Sequence, residues 1–133
     1  NSITYVSQKA ELFSSTIKDN INVVKRVNDS VYMNILNITK TSEIIDKKYL
    51  RDNFNIEEGG FNLSGGEKQR IILARALVKD FNYLVLDEAL SEVDTKTEIE
   101  ILNNLKNYYK DKTIIYISHN EKIASLFKNI IEF

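Results

Sequence analysis

The sequence predicts an α/β fold, a parallel sheet carrying an inserted helical segment, and three observations carry that prediction. Tyr83-Leu84-Val85-Leu86 and Ile114-Ile115-Tyr116-Ile117 are continuous apolar runs of strand length, the pattern of parallel strands buried on both faces. Between them Ile99, Leu102, Leu105 and Tyr109 recur on one face of a helix. Strand, helix and strand in that order belong to one parallel sheet.

The elements follow from the N-terminus. Ile3-Thr4-Tyr5-Val6 alternates β-branched and aromatic residues and reads as the first strand, leading into Ser7-Gln8. From about residue 10 to 53 the pattern is helical, with Val31, Ile35, Ile38, Ile44, Ile45 and Tyr49 as its apolar positions, which predicts a small helical subdomain. Glu57-Glu58-Gly59-Gly60 breaks the period, and the next helix runs from about Ser64 to Lys79. After the two apolar strands come a helix marked by Ile123, Leu126 and Phe127 and a last strand at Ile130-Ile131. The chain thus divides into residues 1–9 (core strand), 10–79 (helical subdomain) and 80–133 (second half of the core).

Composition narrows the function classes. At 133 residues there is room for one domain with a sizeable core, and a formal net charge of −1 gives no general attraction to nucleic acid, so no nucleic-acid partner is expected. The absence of cysteine excludes disulfides, thiolate metal sites and a thiol nucleophile, and makes a reducing compartment the default. No apolar run nears the roughly 18 residues that span a bilayer. Asn1-Ser2-Ile3-Thr4 has neither the charged start nor the apolar centre of a secretory signal, so any membrane is crossed by another segment or chain.

Chemistry in parallel sheets sits at the carboxyl ends of strands, which here carry Gln8, Asp87-Glu88 and Ser118-His119. Adjacent carboxylates after a buried strand can divide labour, one holding Mg²⁺ through its water shell and the other orienting an attacking water. A carboxylate pair that merely meets solvent is the plainer reading. His119, the only histidine, can donate to a phosphate oxygen, although a lone histidine is more often structural. Ser64 and Glu67 have capping-box spacing, and Gly65-Gly66 between them either supply a tight turn or leave backbone N–H groups open to phosphate at a helix start.

In their order, "YVSQKAELFSSTIKDNI", "LSGGEKQRIILARAL", "YLVLDEALSEVD" and "IIYISH" resemble the ATP-binding cassette (ABC) ATPases over essentially the whole chain, most specifically from Leu63 to Leu77. The resemblance implies a partial RecA-like P-loop NTPase core with an inserted helical subdomain. It implies that Gln8 is the Q-loop glutamine, that Leu63, Ser64, Gly65, Gly66 and Glu67 form the nucleotide-binding signature, and that Asp87 ends the Walker B strand. By the same likeness Glu88 is the catalytic base, Ser91 to Asp94 the D-loop at a dimer interface, and His119 the switch histidine. "LFSSTIKDNI" and "EEGGFNLSGG" are similar to exporter segments that meet a transmembrane partner, with Glu58 at the coupling glutamate, and the Glu-Gly-Gly form leans toward bacterial peptide and bacteriocin exporters. Departures are Glu67 for glutamine, Leu90 for threonine, Glu92-Val93 for Ala-Leu, Glu57 for glycine and Asn120 for arginine.

A nucleoside triphosphatase of this kind also needs G-x-x-x-x-G-K-[ST] to wrap the phosphates. All four glycines lie between residues 59 and 66, so that loop is not in this sequence. The expectation is therefore the C-terminal portion of a nucleotide-binding domain, close to inactive by itself, with an unpaired edge on the His119 strand that dimerises, swaps strands or leaves the C-terminus displaced. For the parent, the resemblance implies ATP and Mg²⁺ as ligands, with Gln8 and Asp87 supporting the metal. It also implies a second nucleotide-binding domain and an exporter's transmembrane domain as partners, and the cytoplasmic face of the cell membrane as location. The competing expectations are a soluble ABC ATPase of translation or DNA maintenance and a non-hydrolysing module that lends only its signature surface.

Overall fold

A computed structural model describes residues 2–47 and 54–132; Tyr49, assigned above to the helical subdomain, lies outside them. Three parallel strands, β1 (Ile3–Ser7), β2 (Tyr83–Asp87) and β3 (Thr113–Ile117), form one sheet in the order β1-β2-β3. Ile3, Tyr83 and Thr113 align at one end, and Ser7, Asp87 and Ile117 at the other. Among the described residues five α-helices accompany them: α1 (Ile17–Ile21), α2 (Asp29–Ile38), α3 (Thr41–Lys47), α4 (Gly65–Leu77) and α5 (Thr95–Tyr108).

The first helix begins later than the periodicity from residue 10 suggests. Residues 10–16 are irregular because Asn20, fully buried, binds their backbone: its amide donates to the carbonyls of Phe13 and Thr16 at 3.0 Å and its oxygen takes the Phe13 N–H at 3.1 Å. Thr16 and Asn28 cap α1 and α2, as helix-starting oxygen acceptors do. The buried face of α2 is Tyr32, Ile35, Leu36 and Ile38, and Val31 turns outward. Lys40 joins three helices: its carbonyl accepts from Arg70 of α4 at 3.2 Å, and its ammonium pairs with Glu100 of α5.

On α5 the buried residues are Glu98, Ile101, Leu102 and Leu105. Ile99 and Tyr109, the C-cap, are half-buried and pack against the same core, so the predicted face holds and is widened by Glu98 and Ile101. Gly59 and Gly60 both take left-handed φ, near 70°, in the short 3₁₀ turn Glu58–Gly60 that leads into α4.

Two expectations about the sheet are corrected. Its strands are covered on one face only: Thr4, Val6, Leu84 and Leu86 point into the core, while Ile3 and Tyr5 are 67% and 57% exposed and Ile115 and Ile117 each 46%. Exposure alternates because the packed helices shield a single side of the pleat. Ile130-Ile131 also forms no strand and is exposed. After β3 the chain makes the 3₁₀ helix Glu121–Leu126, and Phe127 stacks on Tyr116 with ring centroids 5.7 Å apart, so the chain leaves along the core edge rather than returning to the sheet. Among the described residues, no helix is long and apolar enough to cross a membrane.

Candidate functional site

The carboxyl edge of the sheet is built by register. Because Ser7, Asp87 and Ile117 are aligned neighbours, the residues that follow them, Gln8, Glu88 and Ser118-His119, leave the sheet along one line. Glu88 has φ 54°, a left-handed conformation that costs a residue with a side chain roughly 1–2 kcal/mol. Its N–H, bonded to the Ile117 carbonyl at 3.0 Å, holds it there. The turn directs the Glu88 carboxylate toward His119, with Nε2 to Oε1 at 3.2 Å; the histidine side chain is 98% exposed and that of Glu88 18%.

Asp87 accepts a hydrogen bond from the Tyr5 hydroxyl, which reaches across the open face from β1. That bond, more than desolvation, raises the phenol above its ordinary range. Gln8 is exposed in the turn closed by the Ala10 N–H on the Ser7 carbonyl. Asp87 and Gln8 are hard oxygen donors, and no group of three metal-ligating side chains occurs among the described residues. That donor set fits Mg²⁺, which keeps several waters and takes one or two protein oxygens together with substrate phosphates.

The second group gathers at the start of α4. Ser64 Oγ accepts from the Glu67 N–H at 3.1 Å and Glu67 Oε1 from the Ser64 N–H at 2.9 Å, the capping box read from the sequence. Ser64 is exposed and Gly65 and Gly66 half-exposed, whereas Leu63 lies in the core and Glu67 is buried beneath its own helix turn. Sequence reasoning missed Gln69. Its amide donates to Ser91 Oγ at 3.0 Å and its oxygen accepts the Glu92 N–H at 2.8 Å, so α4 grips the segment from Ser91 to Asp94. Asp94 caps α5 through the Thr97 N–H at 3.0 Å, and that bond holds its carboxyl below the usual range. The structure therefore brings Asp87, Glu88 and His119 to the sheet edge and joins the Ser64 helix to Ser91 through Gln69. Glu58 stands apart, exposed in its 3₁₀ turn.

A parallel sheet with an acidic pair and an imidazole on its carboxyl edge defines an α/β domain whose polar groups gather where such sheets carry their chemistry. The chain belongs to the ABC transporter family, whose profile matches residues 1–91. A Rickettsia bellii protein named for an export ATP-binding/permease role is 38% identical over 97% of this chain and 22% of its own length. The lactococcin-G-processing and transport ATP-binding protein of Lactococcus lactis subsp. lactis is 40% identical over 98% of this chain and 19% of its own. A bacterial Atm1-family ABC exporter solved with ATP bound superposes with a TM-score of 0.84 at 32% identity, over 92% of this chain and 22% of that one. The chain thus spans about a fifth of the length of the curated relatives it matches.

Proposed function

We propose that the chain is the signature-bearing part of the ATP-hydrolysing domain of an exporter, possessing the catalytic carboxylate and switch histidine of an ATPase that powers transport across a membrane. The observation that carries this reading is the pair Glu88 and His119, 3.2 Å apart, with Glu88 in a left-handed conformation. Strain of that kind, kept on a residue with a side chain, belongs to sites where direction matters more than stability. In this reading Glu88 polarises the attacking water and His119 binds the γ-phosphate. Asp87 and Gln8 would hold Mg²⁺, which neutralises charge on the phosphates. Ser64, Gly65 and Gly66 face the nucleotide of a second, opposed domain, with Leu63 and Glu67 shaping that helix start from beneath. Ser91 and Asp94 lie at the dimer contact, and Glu58 contributes to coupling with the transmembrane domain at the cytoplasmic face. The glycine-and-lysine phosphate loop is contributed by polypeptide other than these 133 residues, which alone turn over little ATP because phosphoryl transfer depends on positioning and charge. Export of a peptide of bacteriocin type is the substrate class the Lactococcus relative suggests.

The test is steady-state ATP turnover by the protein as its cell makes it, in lipid vesicles, with and without Glu88→Gln. Loss of the base should lower turnover about a hundredfold or more while ATP still binds. Equal turnover in both, or none in the parent protein, overturns the hydrolytic reading and leaves the non-hydrolysing module in its place.

A further inference from the structure

We infer that Glu98 is a positioning residue for His119, clamping the loop that carries the histidine from both sides; the inference rests on the hydrolytic reading above. Glu98 is 2% exposed in the first turn of α5, and a buried carboxylate is tolerated only when its oxygens are filled. Both are filled by residues flanking the same short loop. Oε2 accepts from the Tyr116 hydroxyl at 2.5 Å, and Oε1 from the Asn120 amide at 2.6 Å. Between those two donors sit Ile117, Ser118 and His119.

The loop needs such an anchor because the imidazole is almost wholly exposed, with Glu88 at its edge. Its position is set through its backbone. Asn120 completes that frame: its N–H binds Ser118 Oγ at 2.9 Å, its side-chain oxygen takes the Lys122 N–H at 3.2 Å, and its amide reaches Thr95 Oγ1 at 3.4 Å. Burial, and then the bond to Glu98, drive the Tyr116 hydroxyl far above its ordinary range, so it stays a donor at any working pH. Glu98 also gives its own N–H to the Asp94 carbonyl at 2.8 Å. One residue therefore links the start of α5, where the Ser91 to Asp94 segment ends, to the His119 loop.

Asn120→Asp tests this with no change of size, placing a second carboxylate against the first and removing the donor. His119 is the only histidine in the 133 residues, so its ring gives one set of NMR signals, and the shift that Glu88→Gln produces in them reads the proximity of the two groups. In the 133-residue chain that response should disappear in Asn120→Asp and return when Glu98→Gln is added, since the amide can then donate in the opposite direction. In the protein as its cell makes it, Asn120→Asp should lower kcat for ATP about ten- to a hundredfold with KM unchanged, and the double substitution should recover it. A ring response that survives Asn120→Asp, or a kcat left intact, overturns the clamp. Absence of ATP turnover in the parent protein overturns instead the hydrolytic reading, because the ring signal does not depend on it.

Discussion

Gly65 and Gly66 are adjacent in sequence and differ sharply in what a side chain would meet. A Cβ on Gly66 would lie 2.9 Å from the backbone carbonyl oxygen of Glu92, whereas on Gly65 it would strike only the carboxylate tip of the Glu92 side chain. A flexible tip can swing away, but the backbone carbonyl belongs to the segment that Gln69 grips. Gly65→Ala should therefore be neutral or stabilising by up to about 1 kcal/mol, the ordinary gain of alanine over glycine in a helix. Gly66→Ala should destabilise by about 1–3 kcal/mol, the usual cost of overpacking, and displace the Ser91 to Asp94 segment. Urea unfolding of both variants checks the pair, and equal stability would remove the close approach as the reason for the second glycine. The capping box was legible because its partners are three residues apart in sequence. Gln69 and Glu98 were not, since their partners are 18 to 23 residues away and a polar residue on a helix carries no mark of what tertiary packing will bring to it.

Elements were legible wherever hydrophobic period decides them. The three strands and α4 lie within a residue or two of their predicted bounds, because an apolar run or a cap fixes them locally. The predicted face of α5 also holds, with Leu102 and Leu105 buried and Ile99 and Tyr109 packed at its margin. Tyr109 packs there while closing the helix as its C-cap, with its ring 5.0 Å from Phe81 and 4.9 Å from Tyr108. Burial first, and Tyr108 second, push its hydroxyl up to about 12 from an ordinary 10.0. A value raised in the folded state means that the unfolded chain releases the proton first. The contribution is intact below pH 10 and is lost as pH rises toward about 12. Tyr109→Phe should thus lose less stability than the parent chain across that window and behave like it near neutrality, apart from a constant offset. Urea midpoints measured at several values of pH give the comparison, and parallel profiles would show that this hydroxyl is not protected by the fold.

At the scale of the molecule, the sheet has one packed face and one open one. The apolar runs at Tyr83 and Ile114 predicted cover on both sides, and that inference failed because period alone reports how apolar a strand is and not how many layers are at hand to bury it. Ile3, Tyr5, Tyr83, Ile115 and Ile117 share the open face, and β3 pairs with a strand on one side only among the described residues. Such surface is removed from water at a gain of about 25 cal/mol per Å², so the 133-residue chain should self-associate as its concentration rises. Ile115→Lys with Ile117→Lys places two charges on that face beside the free edge, the device natural sheets use against edge pairing. Both positions are exposed, which limits the expected change in folding stability to about 0.5 kcal/mol each. Sedimentation across a hundredfold range of concentration should then show association in the parent chain and a monomer in the doubly substituted one. A parent chain that stays monomeric throughout would mean that the open face is too broken by Asp87 and Thr113 to act as a contact, and the apolar residues on it would have to be accounted for singly.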